Sequence, residues 1–380
     1  MKPFVCALLS AAIAVYGCGG SDEGGKPALE VKPGQSIQAA IDLAKPGEVV
    51  LLLAGVHKAV STGEAMIVFR KDKNGVVLRG DGKSPDEVVI DGDGKVLHVI
   101  FFDEGIDRNT VVENVTITGG NAYPAAVLSE NHTPILRPEI TDLGNDFYND
   151  GAGIMAFNSA PVIHNSRIIN NKANMCGGGI SVFHAGDDGY PAKGPLITGN
   201  EISGNVVENG TGGGVDVYFG AKADIINNLL VGNRGWGGAI AVLDNSTATI
   251  DCCTIAGNYG SAPGVAKHES AVLTLTNSIF TENHDGIAIE ISGPSAFKNC
   301  LFWNNDVPWE PPGGSAHILK EHLFVKGPRG DYYLSHKASG QANDSPGIDA
   351  GSVTAETAGV QGLTTRTDGV SDDGIVDIGF

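Results

Sequence analysis

A short phrase ending in asparagine returns again and again along the middle of this chain. It reads Asn165-Ser-Arg-Ile-Ile-Asn-Asn171, then Gly199-Asn-Glu-Ile-Ser-Gly-Asn205, then Asn227-Asn-Leu-Leu-Val-Gly-Asn233. Later copies are Cys252-Cys-Thr-Ile-Ala-Gly-Asn258, Asn277-Ser-Ile-Phe-Thr-Glu-Asn283 and Asn299-Cys-Leu-Phe-Trp-Asn-Asn305, with a weaker first copy at Asn114-Val-Thr-Ile-Thr-Gly-Gly120. The closing asparagines are spaced by 34, 28, 25, 25 and 22 residues. Glycine clusters lie between them: Gly151-Ala-Gly-Ile154, Gly177-Gly-Gly-Ile180, Gly212-Gly-Gly-Val215 and Gly237-Gly-Ala-Ile240. Pro263-Gly-Val265 and Asp285-Gly-Ile287 continue that second phrase. A period of this length means stacked units.

The repeat selects among stacked architectures. Propeller blades want a longer, steadier period with Trp-Asp marks, and the chain has 3 tryptophans. Hexapeptide repeats would give spacings in multiples of six. Leucine-rich repeats want L-x-x-L-x-L, which is absent. Glycine clusters and β-branched alternation exclude helical repeats. The remaining fit is a parallel β-helix, whose short strands join through Gly and Asn turns that tolerate positive φ.

Coils at the ~4.8 Å strand spacing place like positions in columns. Positions 171, 205, 233, 258, 283 and 305 form an asparagine ladder in which each amide bonds the next coil. Positions 168, 202, 230, 255, 280 and 302 form an apolar interior stack. Ser166, Asn200, Asn228, Cys253, Ser278 and Cys300 share that inward face. Cys253 and Cys300 are thus expected as free, buried thiols, two coils apart and beyond disulfide reach.

Glycine supplies 54 of 380 residues, about twice the usual share. The hydrophobic fraction of 42% allows a large core, which rules out wholesale disorder. Asp and Glu number 44 against 25 Lys and Arg, a formal charge of -19. No nucleic-acid partner is expected from such a balance. An acidic substrate would need local cations or a bound metal.

Lys2 precedes the apolar run Phe4–Tyr16, too short to cross a bilayer, which reads as a secretory signal over 1–17. Val15-Tyr16-Gly17-Cys18, followed by a Gly/Ser/acidic tether over 18–30, resembles a bacterial lipoprotein signal. That resemblance implies lipidation of Cys18, and so a membrane attachment through lipid alone. Tyr16 departs from the usual pattern, and ordinary cleavage near Gly17 is the alternative. Either way the expected location is outside the cytoplasm, anchored at the bacterial envelope or secreted.

The alternation of the two phrases resembles the right-handed parallel β-helix, or pectin-lyase-like, superfamily. Gly237-Gly-Ala-Ile240 with Phe280-Thr-Glu-Asn283 is also similar to the GGAI/FxxN repeats of polymorphic outer-membrane proteins. The expected fold is therefore all-β: a right-handed solenoid over 31–325, with an amphipathic helix over 36–44 capping its N-terminal end. Residues 326–380, with Gly330-Asp-Tyr-Tyr-Leu334 and Ser345-Pro-Gly-Ile-Asp-Ala-Gly351, resemble the closing segment of secreted β-helix proteins. The chain shows no alternating strands of a membrane barrel after it, so an autotransporter is not expected. A monomer is expected.

Enzymes of that superfamily act on acidic polysaccharides, as lyases with an Arg or Lys base, sometimes His, and often calcium, or as hydrolases with clustered aspartates. Asp187 and Asp188 resemble the hydrolase G-D-D box, but its companion N-T-D, G-H-G and R-x-K boxes are absent, as is the lyase W-x-D-H. Strand alternation sends Phe157, Phe183 and Tyr218 outward in one column, with Asp216 beside them. Tyr190 overhangs that place from the 184–195 loop, and Trp236 follows in the next coil. These residues suit a sugar face. The alternative is that the loop buries them as a satellite core. Lys172 and Arg234 follow ladder asparagines and read as bases, as a uronate clamp, or as solvated turn charges. Asp368, Asp372, Asp373 and Asp377 are the candidate Ca2+ ligands, although their spacing fails the EF-hand template. The chain is thus expected to bind or process polysaccharide, as an acidic-glycan lyase among the options. A non-catalytic adhesin or structural surface protein is the competing class.

Overall fold

A computed structural model describes residues 29–129, 131–142, 144–184, 192–268, 270–286, 289–291, 295–307, 317–328 and 330–380. The signal, the tether up to residue 28, Cys18, Asp187, Asp188 and Tyr190 lie outside these. Among the described residues no helix is long and apolar enough to cross a membrane.

Three parallel sheets run the length of a solenoid. Sheet A holds ten strands, from Leu29–Val31 to Ser295–Lys298; sheet B holds ten, from Gly55–Lys58 to His317–Ile318. Sheet C holds eight, from Gly63–Phe69 to Ile289–Ile291, and a short three-stranded sheet fills one corner. Each strand pairs in parallel with its counterpart one coil on, so like stacks on like. Ile163, Ile197, Ile225, Ile250 and Leu275 line the inner face of sheet A. Ile168, Ile202, Leu230, Ile255, Phe280 and Phe302 do so on sheet B, and Ile100, Ile154, Ile180, Val215, Ile240 and Val265 on sheet C. All belong to one buried core.

The asparagine ladder stands in single file. Each Nδ2 of Asn171, Asn205, Asn233, Asn258 and Asn283 donates to the next coil's Oδ1 at 2.8–3.1 Å. The same Oδ1 also accepts the backbone N–H of the preceding ladder residue. Nδ2 bonds in addition a strand carbonyl of the previous coil, such as Ile202 for Asn233 at 2.8 Å. No other side chain offers this pattern of one forked acceptor and a two-proton donor at this length. The residue before each rung holds positive φ: Asn170, Gly204, Gly232, Gly257, Glu282 and Asn304. That corner explains the recurring Gly and Asn.

The second inward column behaves as the sequence implies. Asn200 bonds Asn228, Asn228 N donates to Cys253 Sγ at 3.4 Å, and Cys253 N donates to Ser278 Oγ at 3.1 Å. Cys176, Cys252, Cys253 and Cys300 are free and buried.

Ser36 caps a helix over Ile37–Leu43, accepting from Ala39 N, and Ile37 and Ile41 enter the core. At the other end, the described residues of 326–380 pack against sheet B. After an antiparallel hairpin, Phe324–Gly327 with Gly330–Leu334, the chain folds back along the outer face of sheet B. Phe380 N donates to Thr254 Oγ1 at 2.9 Å, and Gly379 N to Asn277 O at 2.9 Å. Ile378 and Leu334 pack on Ile279 and Leu301. The outer column of sheet B anticipates this. Midway it carries Arg167 and Glu201, ion-paired at 2.7 Å, and it then runs Leu229, Thr254, Ile279 and Leu301 where the segment lies.

Candidate functional site

The outer face of sheet C carries the expected column, and the column is not a sugar platform. Phe157 and Phe183 are 4% and 6% exposed. Their rings stack at 5.7 Å, with Phe147 edge-on to Phe157 at 5.4 Å and Arg137 over it at 4.0 Å. The cover is the excursion 124–149, with Val127, Leu136, Phe147 and Tyr148 in the cluster. The 184–195 loop, the cover that the sequence suggests, lies mostly outside the described residues. Tyr218 packs partly buried against the same cluster, and Trp236 against Ala241, Leu243 and Ala266.

Asp216 does face outward, but it is fully buried rather than flanking a groove. Thr211 Oγ1 donates to its Oδ1 at 2.9 Å, while Oδ2 has no partner among the described residues. Burial pushes its carboxyl up to about 8, against the opposing Thr211 bond. Asp216 is therefore not in a position to present a charge to a glycan in an open groove. Asp150 lies nearby, also buried and raised first by burial and then by Asp216.

Lys172 and Arg234 form no pair of cations. Lys172 Nζ bonds Glu208 at 2.5 Å and sits over the Tyr123 ring at 4.9 Å. Arg234 is exposed, two coils on in the same corner, with Val206 between them.

A concavity lies elsewhere, where the folded-back segment bridges sheet B. It is a cleft of about 350 Å³. Its floor is the A–B corner and the edge of sheet B, with His164, Asn165, Asn227 and Leu229. Its other wall is Asp331, Tyr332 and Tyr333 from the hairpin, with Leu363, Asp372, Asp377 and Phe380 beyond. Asp331 is exposed, the tyrosines are half-buried and Asp377 is buried. Apolar walls with a few convergent polar groups are the physical form of a binding pocket.

Three carboxylates converge at the edge of this cleft. Asp349, Asp372 and Asp377 each bring one oxygen within 4.8 Å of the others. Asp377 accepts from Asp349 N at 2.8 Å and from the Thr365 hydroxyl, and lies 3.3 Å from His336 Nε2. Asp372 accepts from Asp377 N at 2.8 Å. Burial, then the charges of Asp377, Asp349 and Asp373, push the Asp372 carboxyl up to about 6. Of the four expected metal ligands, Asp372 and Asp377 thus meet. Asp368 is instead bound by Arg366 at 2.6 Å, which holds its carboxyl well below the usual range. Asp373 is exposed and outside the trio, and Asp349 takes the third place. Three oxygens at this separation are a donor set that suits a hard cation.

Sequence reasoning missed Tyr332, Tyr333, Asp331 and Asp349 as site residues. The available signal was the apolar turn of the sheet B outer column, which announces that something covers it.

A profile of the family described as "Right handed beta helix region" matches residues 68–238 and 221–318. The chain belongs to the right-handed β-helix family. No curated protein matches it. Among solved structures, it is similar to Escherichia coli YbhC, 12% identical over 78% of this chain and 77% of that one, with a TM-score of 0.34. It is also similar to the rice weevil pectin methyl esterase, 9% identical over 76% and 80%, with a TM-score of 0.34. A further likeness is to the PL6 family alginate lyase AlyGC, 12% identical over 73% of this chain and 35% of that one, with a TM-score of 0.36. At these values the likenesses carry no argument about activity.

Proposed function

We propose that this β-helix protein is exported, is lipid-anchored at Cys18, and binds polysaccharide at the cell surface as a monomer. One observation carries the reading: a preformed cleft of about 350 Å³, walled by Tyr332 and Tyr333 and edged by amide and carboxylate oxygens, held on a rigid solenoid. Aromatic faces take the C–H side of a sugar ring, and oxygens around them take its hydroxyls. Titration against a panel of immobilised glycans tests it. Tyr332→Ala with Tyr333→Ala should weaken binding by roughly tenfold or more; unchanged binding to every glycan would overturn the reading.

Binding without cleavage is the favoured form. Elimination from a uronate needs a base at the acidic C–H, Arg or Lys and sometimes His, and a separate charge to neutralise the carboxylate. Among the described residues His164 lines the cleft, but no Lys or Arg does, so the neutralising charge is missing. Processing remains the second reading because of the Asp349, Asp372 and Asp377 trio, whose calcium binding would supply the missing charge. Release of unsaturated, ultraviolet-absorbing product or of new reducing ends, with calcium and not without, would select it. Anchoring rests on the Phe4–Cys18 sequence. It predicts palmitate labelling that Cys18→Ser abolishes.

A further inference from the structure

Charge around the cleft narrows the kind of sugar it accepts. Asp331, Asp372 and Asp377 line it, and Asp349 and Asp373 stand directly behind Asp372. Two basic side chains of the same segment are committed elsewhere. Arg366 Nη2 holds Asp368 at 2.6 Å, and His336 sits buried behind Asp377 at 3.3 Å. His164 is the one lining side chain that can carry positive charge among the described residues. The whole chain adds a formal charge of -19, a field that repels anions from any distance within the screening length. A uronate entering here would lose its water and meet carboxylates.

A protonated amine would meet the opposite. Tyr332 and Tyr333 line the cleft, and a cation near an aromatic face is attracted by its quadrupole. Resting on the proposed glycan binding, we infer that the cleft selects saccharides bearing a free, protonated amine over their N-acetylated and uronate counterparts.

Isothermal titration of the full chain at pH 6.5 and low salt tests this. The probes are a β-1,4-linked glucosamine pentamer, its N-acetylated form, an oligogalacturonate pentamer and a lysine pentapeptide. The glucosamine pentamer should bind roughly tenfold tighter than the N-acetylated form, and the galacturonate weakest. Asp331→Asn with Asp372→Asn should bring the first two within roughly threefold of each other. Removing two charges far away, with Glu30→Gln and Asp72→Asn, should leave the preference in place, which separates the cleft from the general field. The inference falls if the N-acetylated or galacturonate pentamer binds as well as the amine. It falls equally if the cleft double variant keeps the preference, or if the lysine peptide matches the glucosamine pentamer and marks a peptide site. Binding of the N-acetylated form alone would spare glycan recognition while overturning amine selection; binding of no saccharide would overturn both.

Discussion

The solenoid body and the segment folded back on it are built on opposite principles. In the body each rung repeats the last. Asn233 receives two hydrogen bonds at one oxygen and donates two from one nitrogen, and its neighbours do the same. In the folded-back segment nothing repeats. It is held by single contacts, such as Gly379 N to Asn277 O and Ser352 N to Asn277 Oδ1. It also crowds three carboxylates within 4.8 Å of one another. Repetition saturates polar groups because one solution serves every coil. The segment has to find each partner separately, and it leaves charge repulsion in place at the edge of the cleft.

The largest expected effect falls on the ladder. Asn233→Ala strands buried donors and acceptors on both neighbouring coils and should cost about 4 kcal/mol of unfolding free energy, measured by denaturant titration. A loss below about 1 kcal/mol would mean the ladder is incidental to the fold. Next comes the covered face of sheet C. Phe183→Ala should cost about 3 kcal/mol, as a core truncation does. Glycan affinity should not change with it. A loss of binding with stability intact would restore the outer column as a sugar platform.

Two carboxyls sharpen the contrast from the other side. Asp216 has a raised folded pKa, so its contribution to stability is fully present below the ordinary carboxylate range and is lost as pH climbs toward 8. Asp216→Asn should therefore stabilise the body at pH 8 by about 2 kcal/mol and flatten that decline. Asp372 follows the same sign over a lower window. Stability from its protonated form declines between the ordinary carboxylate range and pH 6. Because Asp372 is half-exposed, solvent screening reduces the effect to about 1 kcal/mol for Asp372→Asn at pH 7. Hydrogen exchange at the 349–377 amides should report that gain, and the solenoid amides should not. Equal protection in both regions would show that segment and body unfold as one unit.

The body was legible because its physics is local and periodic. The closing asparagines from 171 to 305, the inward Ile168-to-Phe302 stack and the buried thiols of Cys253 and Cys300 follow from laying one coil on another. What alternation cannot tell is whether an outward residue meets water. Phe157, Phe183 and Asp216 all point away from the axis, yet the 124–149 excursion and its neighbours cover them. The acidic run near the end suggested metal ligands at 368, 372, 373 and 377. Only the fold shows that Arg366 removes Asp368 and that Asp349, from a separate turn, joins the other two.

The amino-acid order alone determined a parallel solenoid with an asparagine spine, because parallel in-register stacking reads every side chain against its own kind one coil away. The place where a ligand fits was decided only in three dimensions. The cleft forms between stretches more than a hundred residues apart, His164 and Leu229 on one side and Tyr332 and Asp372 on the other. No period connects them, and their meeting depends on an apolar outer patch around Ile279 and Leu301 that draws the returning segment down.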